Sequence, residues 1–250
     1  MPEVVHNAPF SIKRLSSVIV AAQDVLTQKL NVIANALSNT GTTGFKSAYL
    51  RTKETEYISP DGTKVSYPQV SGTMYDFSQG GTKSTGIQTH VALMGQGFFK
   101  VQTQGGTKYS RNGEFSTNAK NELIDGVGNL ILSDKNAPIV FPENAGVISI
   151  DYKGVISANG EKIDKLGIVN FKNDKLLKAY GSSFFDTDQE EIPSEATVSQ
   201  GVLELSNVSS MQELVNMMEL EQRFMNLQKS LDEYDKSIKR TISADKGTSV

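Results

Sequence analysis

The chain has 250 residues, a formal charge of −3, 38% apolar residues, two histidines and no cysteine. This composition supports a folded core rather than wholesale disorder, and the near-neutral charge leaves no footprint for nucleic acid or for a polybasic membrane contact. The lack of cysteine removes disulfide scaffolds, iron–sulfur clusters, thiolate zinc sites and cysteine nucleophiles. The longest apolar run, Val18 to Ala22, is far shorter than the ~20 residues a bilayer requires, so no membrane insertion is expected. Lys13, Arg14, Ser16 and Ser17 interrupt the N-terminal stretch, so a cleaved secretory signal is not expected either.

Glycine and proline are unevenly placed. Of the 21 glycines, 20 fall between Gly41 and Gly201, whereas Phe10 to Thr40 and Val202 to Lys246 contain neither breaker. Because these residues cost roughly 1 and 3 kcal/mol inside a helix, the split predicts helix, then β-rich domain, then helix. The expected class is therefore α+β, with long N- and C-terminal amphipathic, coiled-coil-like helices flanking a mainly antiparallel β domain. The expected division is 1–45 as an assembly helix and turn, 46–84 as an extended connector, 85–205 as the β domain, and 206–250 as a second assembly helix packed with the first.

On the first helix Leu15, Ile19, Ala22, Leu26, Leu30, Ile33 and Leu37 recur at steps of three and four, which places them on one face. Asn39, Thr40 and Gly41 end it. The connector is polar and weakly patterned, with Pro60, Asp61-Gly62, Pro68 and Gly80-Gly81, and leaves room for one hairpin. In the β domain, short runs such as Phe98 to Val101, Val147 to Ile150 and Ile168 to Phe171 alternate with turn dipeptides such as Asp125-Gly126 and Asn159-Gly160. On the last helix Met217, Leu220, Phe224, Leu227, Leu231, Tyr234 and Ile238 alternate steps of three and four, a coiled-coil seam. Met211, Leu214, Val215, Met218 and Met225 add a second apolar row beside its first half.

Helices of this kind take most of their stability from burying the apolar face, so each requires a partner. The two can pair with each other within the chain, with copies of themselves in neighbouring subunits, or both; the alternative is a helical hairpin packed on the β domain as ordinary core. The second apolar row favours contacts with more than one neighbour.

Other signals carry less. Gly95-Gln-Gly97 lacks the third glycine and the following helix of a dinucleotide fingerprint, and is read as a turn. Asp186, Asp188, Glu190 and Glu191 do not fit a calcium loop and are read as a solvated acidic loop. No catalytic or metal spacing is found, so no enzyme activity, cofactor or metal is expected. Asn35, Asn39 and Asn207 are assigned to capping, or alternatively to bonds between chains. Gly44 is assigned to a special backbone angle, Phe45 to packing, and Lys46 to a solvated or carboxylate-paired cation.

Several motifs resemble the bacterial flagellar rod and hook protein family. They are Leu30 to Lys46, which runs into Thr-Thr-Gly-Phe-Lys; Val91-Ala-Leu with Gly95-Gln-Gly-Phe-Phe; Tyr109-Ser-Arg-Asn-Gly113; and Gln200 to Val208 followed by Gln222-Arg-Phe224. The resemblance implies a non-enzymatic structural subunit of the flagellar basal-body rod in the periplasmic space. It implies polymerisation through the terminal helices, with copies of itself and other rod subunits, into a torque-transmitting shaft. It also implies delivery by the flagellar type III export apparatus. Residues Met1 to Phe10 extend beyond the usual family start, and Ala36 stands where the family pattern commonly has Asn. A binding module whose β domain takes a ligand and whose helices merely dimerise it is the alternative reading.

Overall fold

The computed structural model describes residues 8–58, 64–181 and 183–246, with side chains described from Ser17 to Arg240 outside the two internal breaks. Most of the expected N-terminal extension therefore lies outside the described residues, as does His6. The chain divides into two compact units. One comprises the described parts of 1–35, 49–73 and 211–250; the other comprises 36–48 and 74–210.

The expected α+β class with flanking helices is corrected by the structure. Among the described residues there are only two α-helices, α1 (Ala8–Ser38) and α2 (Ser210–Lys246), against eighteen strands running from Ala48 to Glu204. The fold is mainly β. α1, α2 and a strand pair from the connector share one unit. That pair is β1 (Ala48–Ile58) with β2 (Lys64–Tyr75), a two-stranded sheet. Both faces of β1 are largely exposed, so no apolar alternation marks it in the sequence. Polar cross-strand pairs hold it instead: Thr55 Oγ1 donates to Gln69 Oε1 (3.0 Å) and Ser71 Oγ to Arg51 O (3.0 Å).

The second unit begins with β3 (Thr82–Ser84), β4 (Val91–Met94), β5 (Phe98–Thr103) and β6 (Gly106–Ser110). Short strands β7 (Phe115–Thr117), β8 (Leu123–Asp125) and β9 (Leu130–Ile131) follow. Then come the meander β10 (Ile148–Ile150), β11 (Val155–Ala158) and β12 (Glu161–Lys165), and β13 (Ile168–Asn170). The last strands are β14 (Lys178–Tyr180), β15 (Phe184–Asp186), β16 (Ile192–Pro193), β17 (Thr197–Gln200) and β18 (Val202–Glu204). The largest sheet runs β14-β15-β6-β5-β9-β8-β7, with β13 bridging β5 and β16. Its local turns follow residue chemistry: Asn159 (φ 53°) and Gly160 (φ 88°) turn β11 into β12 in the left-handed region that Asn and Gly tolerate.

Two long-range pairs close this unit. β17 lies antiparallel to β4, and β18 to β3, which brings residues around 200 beside residues around 85. Strand pleating then sorts the core, since adjacent side chains point to opposite faces. Phe99 and Val101 join a buried cluster with Leu93, Phe115, Leu123 and Ile156. Phe98 faces a second, aromatic cluster with Tyr109, Phe171 and Phe185. Phe77 packs edge-on against Phe98 (5.2 Å between centroids) and Phe185 (4.9 Å).

Candidate functional site

The end of α1 and the strand that precedes α2 meet in a buried polar junction of the second unit. Asn39 N donates to Ala36 O (3.1 Å), and Thr42 Oγ1 donates to Asn39 Oδ1 (3.0 Å), so Asn39 organises the turn that stops the helix. The chain then passes through Gly44 at φ 68°, whose N–H donates to Glu204 O (2.8 Å). A Cβ at Gly44 would collide with Asn112 N and the Arg111 carbonyl, so this backbone fits here only without a side chain. Phe45 is buried beside it.

Lys46 then enters the interior. Its Nζ donates to Glu204 Oε1 (2.6 Å) and Ser78 O (2.6 Å). The other carboxylate oxygen, Glu204 Oε2, faces Arg111 Nη1 (3.4 Å), while Arg111 Nη2 donates to Gly95 O (2.6 Å) and the guanidinium lies over the Phe98 ring. Gly80 N adds a bond to Glu204 Oε1 (3.1 Å). All three charged side chains are buried. Loss of hydration at this depth pulls the Lys46 ammonium below its usual value, against the raising effect of Glu204, and lowers the Arg111 guanidinium for the same first reason. A single carboxylate thus holds two buried cations.

Asn207 completes the junction. Its Oδ1 accepts from Ser47 N (2.8 Å), and its Nδ2 donates to Asp76 O (2.8 Å), Ser78 Oγ (3.2 Å) and Ser78 O (3.3 Å). The side chain acts inside the chain, as a staple between three segments. Asn35, by contrast, lies on an exposed position of α1. Arg111 and Glu204 belong to the Tyr109–Gly113 and Gln200–Val208 motifs, but the sequence alone assigns neither a role. The available signal is a charge set among strand-forming apolar residues, Glu204 between Leu203 and Leu205.

The helical residues assigned to assembly lie in the first unit, apart from Leu37. On α1, Leu26 is buried with Val25, and Ile19, Leu30, Ile33 and Leu37 are half-buried; the Leu15 side chain lies outside the described residues. On α2, Met217, Leu220, Phe224, Leu227, Leu231, Tyr234 and Ile238 are all half-buried. Gln23 Nε2 of α1 donates to Gln228 Oε1 of α2 (3.0 Å), so the two helices touch. The second row is different: Met211, Leu214, Val215, Met218 and Met225 are exposed, and a shallow groove runs along Val215, Met218, Glu219, Gln222 and Arg223.

Gly95-Gln-Gly97 lies in the turn between β4 and β5, and Gly95 supplies the carbonyl that Arg111 binds. Two members of the acidic loop are paired: Asp186 with Lys108 (2.8 Å), and Glu191 with Lys100 (2.7 Å) and with the Tyr109 hydroxyl (2.9 Å).

The β unit is closed by a buried polar junction between the segments that flank the two helices, and the helical unit carries an exposed apolar row on α2. The chain belongs to the FlgE/F/G family of flagellar basal-body rod and hook proteins. Residues 92–158 match the family model for the flagellar hook protein FlgE/F/G D1 domain, and residues 199–244 match that for the flagellar basal body rod FlgEFG protein C-terminal region. The chain is 33% identical over 232 residues to the flagellar basal-body rod protein FlgG of Borreliella burgdorferi, covering 79% of this chain and 86% of that one. It is 29% identical over 218 residues to FlgF of Caulobacter vibrioides, covering 84% and 89%. With FlgF of Rhizobium meliloti it shares 27% over 229 residues, covering 90% and 95%. The likeness is to a basal-body rod protein, FlgF more than FlgG. The chain is accordingly a structural subunit of the bacterial flagellar basal-body rod, and its relatives are structural rod proteins rather than enzymes.

Proposed function

We propose that the chain joins the rod through its helix faces, docking against copies of itself and against other rod subunits to form part of the torque-transmitting shaft. On this reading the segments 1–45 and 206–250 provide the assembly contacts, and the β domain at 85–205 sets the outward packing. The likeness to FlgF favours a place in the proximal rod, and the chain reaches it through the flagellar type III export apparatus.

The observation that carries the reading is the open row on α2. Met211, Leu214, Val215 and Met218 form a contiguous exposed apolar face beside a seam that is already half-covered. Exposed large apolar side chains in one patch mark an interaction surface, and each full burial contributes about 1.5–3 kcal/mol.

The test places charge on that row. The double variant Leu214→Asp, Met218→Asp changes only exposed positions, so the purified chain keeps its thermal transition. Burying two carboxylates against an apolar partner is costly, so the variant is expected to be absent from isolated basal bodies and to fail to restore motility to a deletion strain. Normal incorporation of this variant contradicts the reading.

A further inference from the structure

Met211, Met218 and Met225 follow one another at intervals of seven residues on α2, and are 78%, 69% and 56% exposed. Seven residues make about two helical turns, so the three thioethers stand in one column. The remaining described methionines are placed differently. Met217 belongs to the half-covered seam, Met74 is half-buried, and the Met94 sulfur accepts a bond from Gln79 Nε2 (3.1 Å). The chain has no cysteine, so no thiol competes for an oxidant.

We propose that this column is an oxidation site for hydrogen peroxide and that its oxidation closes the α2 face to an apolar partner. A lone pair of each sulfur attacks one peroxide oxygen. The S–O bond forms as the O–O bond breaks, and the departing hydroxide takes the proton left on the transferred oxygen and leaves as water. The sulfur loses two electrons and the peroxide gains them. The sulfoxide is polar, so a column that was apolar becomes costly to bury. Site selectivity follows from exposure alone; the effect on docking rests on the assembly reading above.

The experiment treats the purified full chain with hydrogen peroxide and follows each methionine by peptide mass mapping. Met211, Met218 and Met225 are expected to oxidise on the order of several-fold faster than Met217 and Met94. Equal rates overturn the site. Retention of the oxidised chain on a hydrophobic column is expected to fall, while the triple variant Met211→Leu, Met218→Leu, Met225→Leu keeps its retention after the same treatment. An equal fall in both chains overturns the proposal, because the polarity change then comes from elsewhere. In isolated basal bodies the three sulfurs are expected to be protected. Oxidation there at the free-chain rate removes the docking reading and the closing of the face with it, while the selectivity seen in the free chain still assigns the site.

Discussion

Lys46 and Glu204, 158 positions apart, form a 2.6 Å ion pair with both side chains shut off from solvent. The pair ties the residue after the first helix's turn to the strand that leads into the second helix. Arg111 shares the same carboxylate at 3.4 Å, so Glu204 compensates two cations at once.

Removing that carboxylate is expected to be among the most damaging single changes. Glu204→Gln leaves Lys46 and Arg111 buried without a counter-charge, which costs about 3–5 kcal/mol. Chemical denaturation should show the midpoint falling accordingly. The triple variant Lys46→Met, Arg111→Met, Glu204→Leu, which removes every charge, is expected to be more stable than Glu204→Gln alone, and the reverse order argues against a charge-compensating role.

Asn207→Ala removes the acceptor for Ser47 N and the donor to Asp76 O and Ser78 O. Ser47 N is part-buried, Asp76 and Ser78 are exposed, and Ser78 O keeps its bond from Lys46 Nζ, so the loss is about 0.5–1.5 kcal/mol. Thermal unfolding of the variant measures this loss. Amide hydrogen exchange at Ser47 should accelerate in step with it; unchanged protection would show that water replaces the staple.

Gly44 and Gly128 separate two costs. Both have positive φ, 68° and 96°, but an added Cβ meets the Arg111–Asn112 backbone at Gly44 and open space at Gly128. Gly128→Ala is expected to cost only the left-handed strain, about 1–2 kcal/mol, and Gly44→Ala substantially more. Comparable losses in the two variants rule out the steric part of the argument.

The junction also sets a pH dependence. Desolvation holds the folded-state pKa of Lys46 below its unfolded value of 10.5, so between the two the unfolded chain binds more protons and stability rises with pH. Tyr109 acts oppositely. Burial, with Glu191 beside its hydroxyl, raises its pKa above 10.0, so the folded chain retains a proton that the unfolded chain releases and stability falls as pH climbs past about 10. Denaturation across the alkaline range should show Lys46→Met losing the rising limb and Tyr109→Phe softening the falling one. Identical profiles for wild type and both variants contradict this assignment.

Local chemistry was legible in the sequence, and long-range chemistry was not. Asn159-Gly160 announces its turn because only such residues accept the angles found there. The motif ending in Gly44-Phe45-Lys46 points to the family without any structure. The breaker-free stretch Val202 to Lys246 is less informative than it looks, since Val202–Glu204 is strand: lack of Gly and Pro permits a helix but does not impose one. The connector leaves room in the sequence for one hairpin, but the bounds of β1 and β2 are not legible there, because strands without a buried face carry no clean alternation. Nothing local links Lys46 to Glu204, whose meeting depends on β18 pairing with β3.

The central claim is that the exposed row of α2 is covered by a neighbouring subunit in the rod. Because the chain has no cysteine, Met218→Cys places a single thiol on that row. Maleimide labelling should be rapid in the purified chain and strongly suppressed in intact basal bodies, returning when they are dissociated. Equal labelling of free and assembled protein would show that the row stays open in the rod, and the docking account fails.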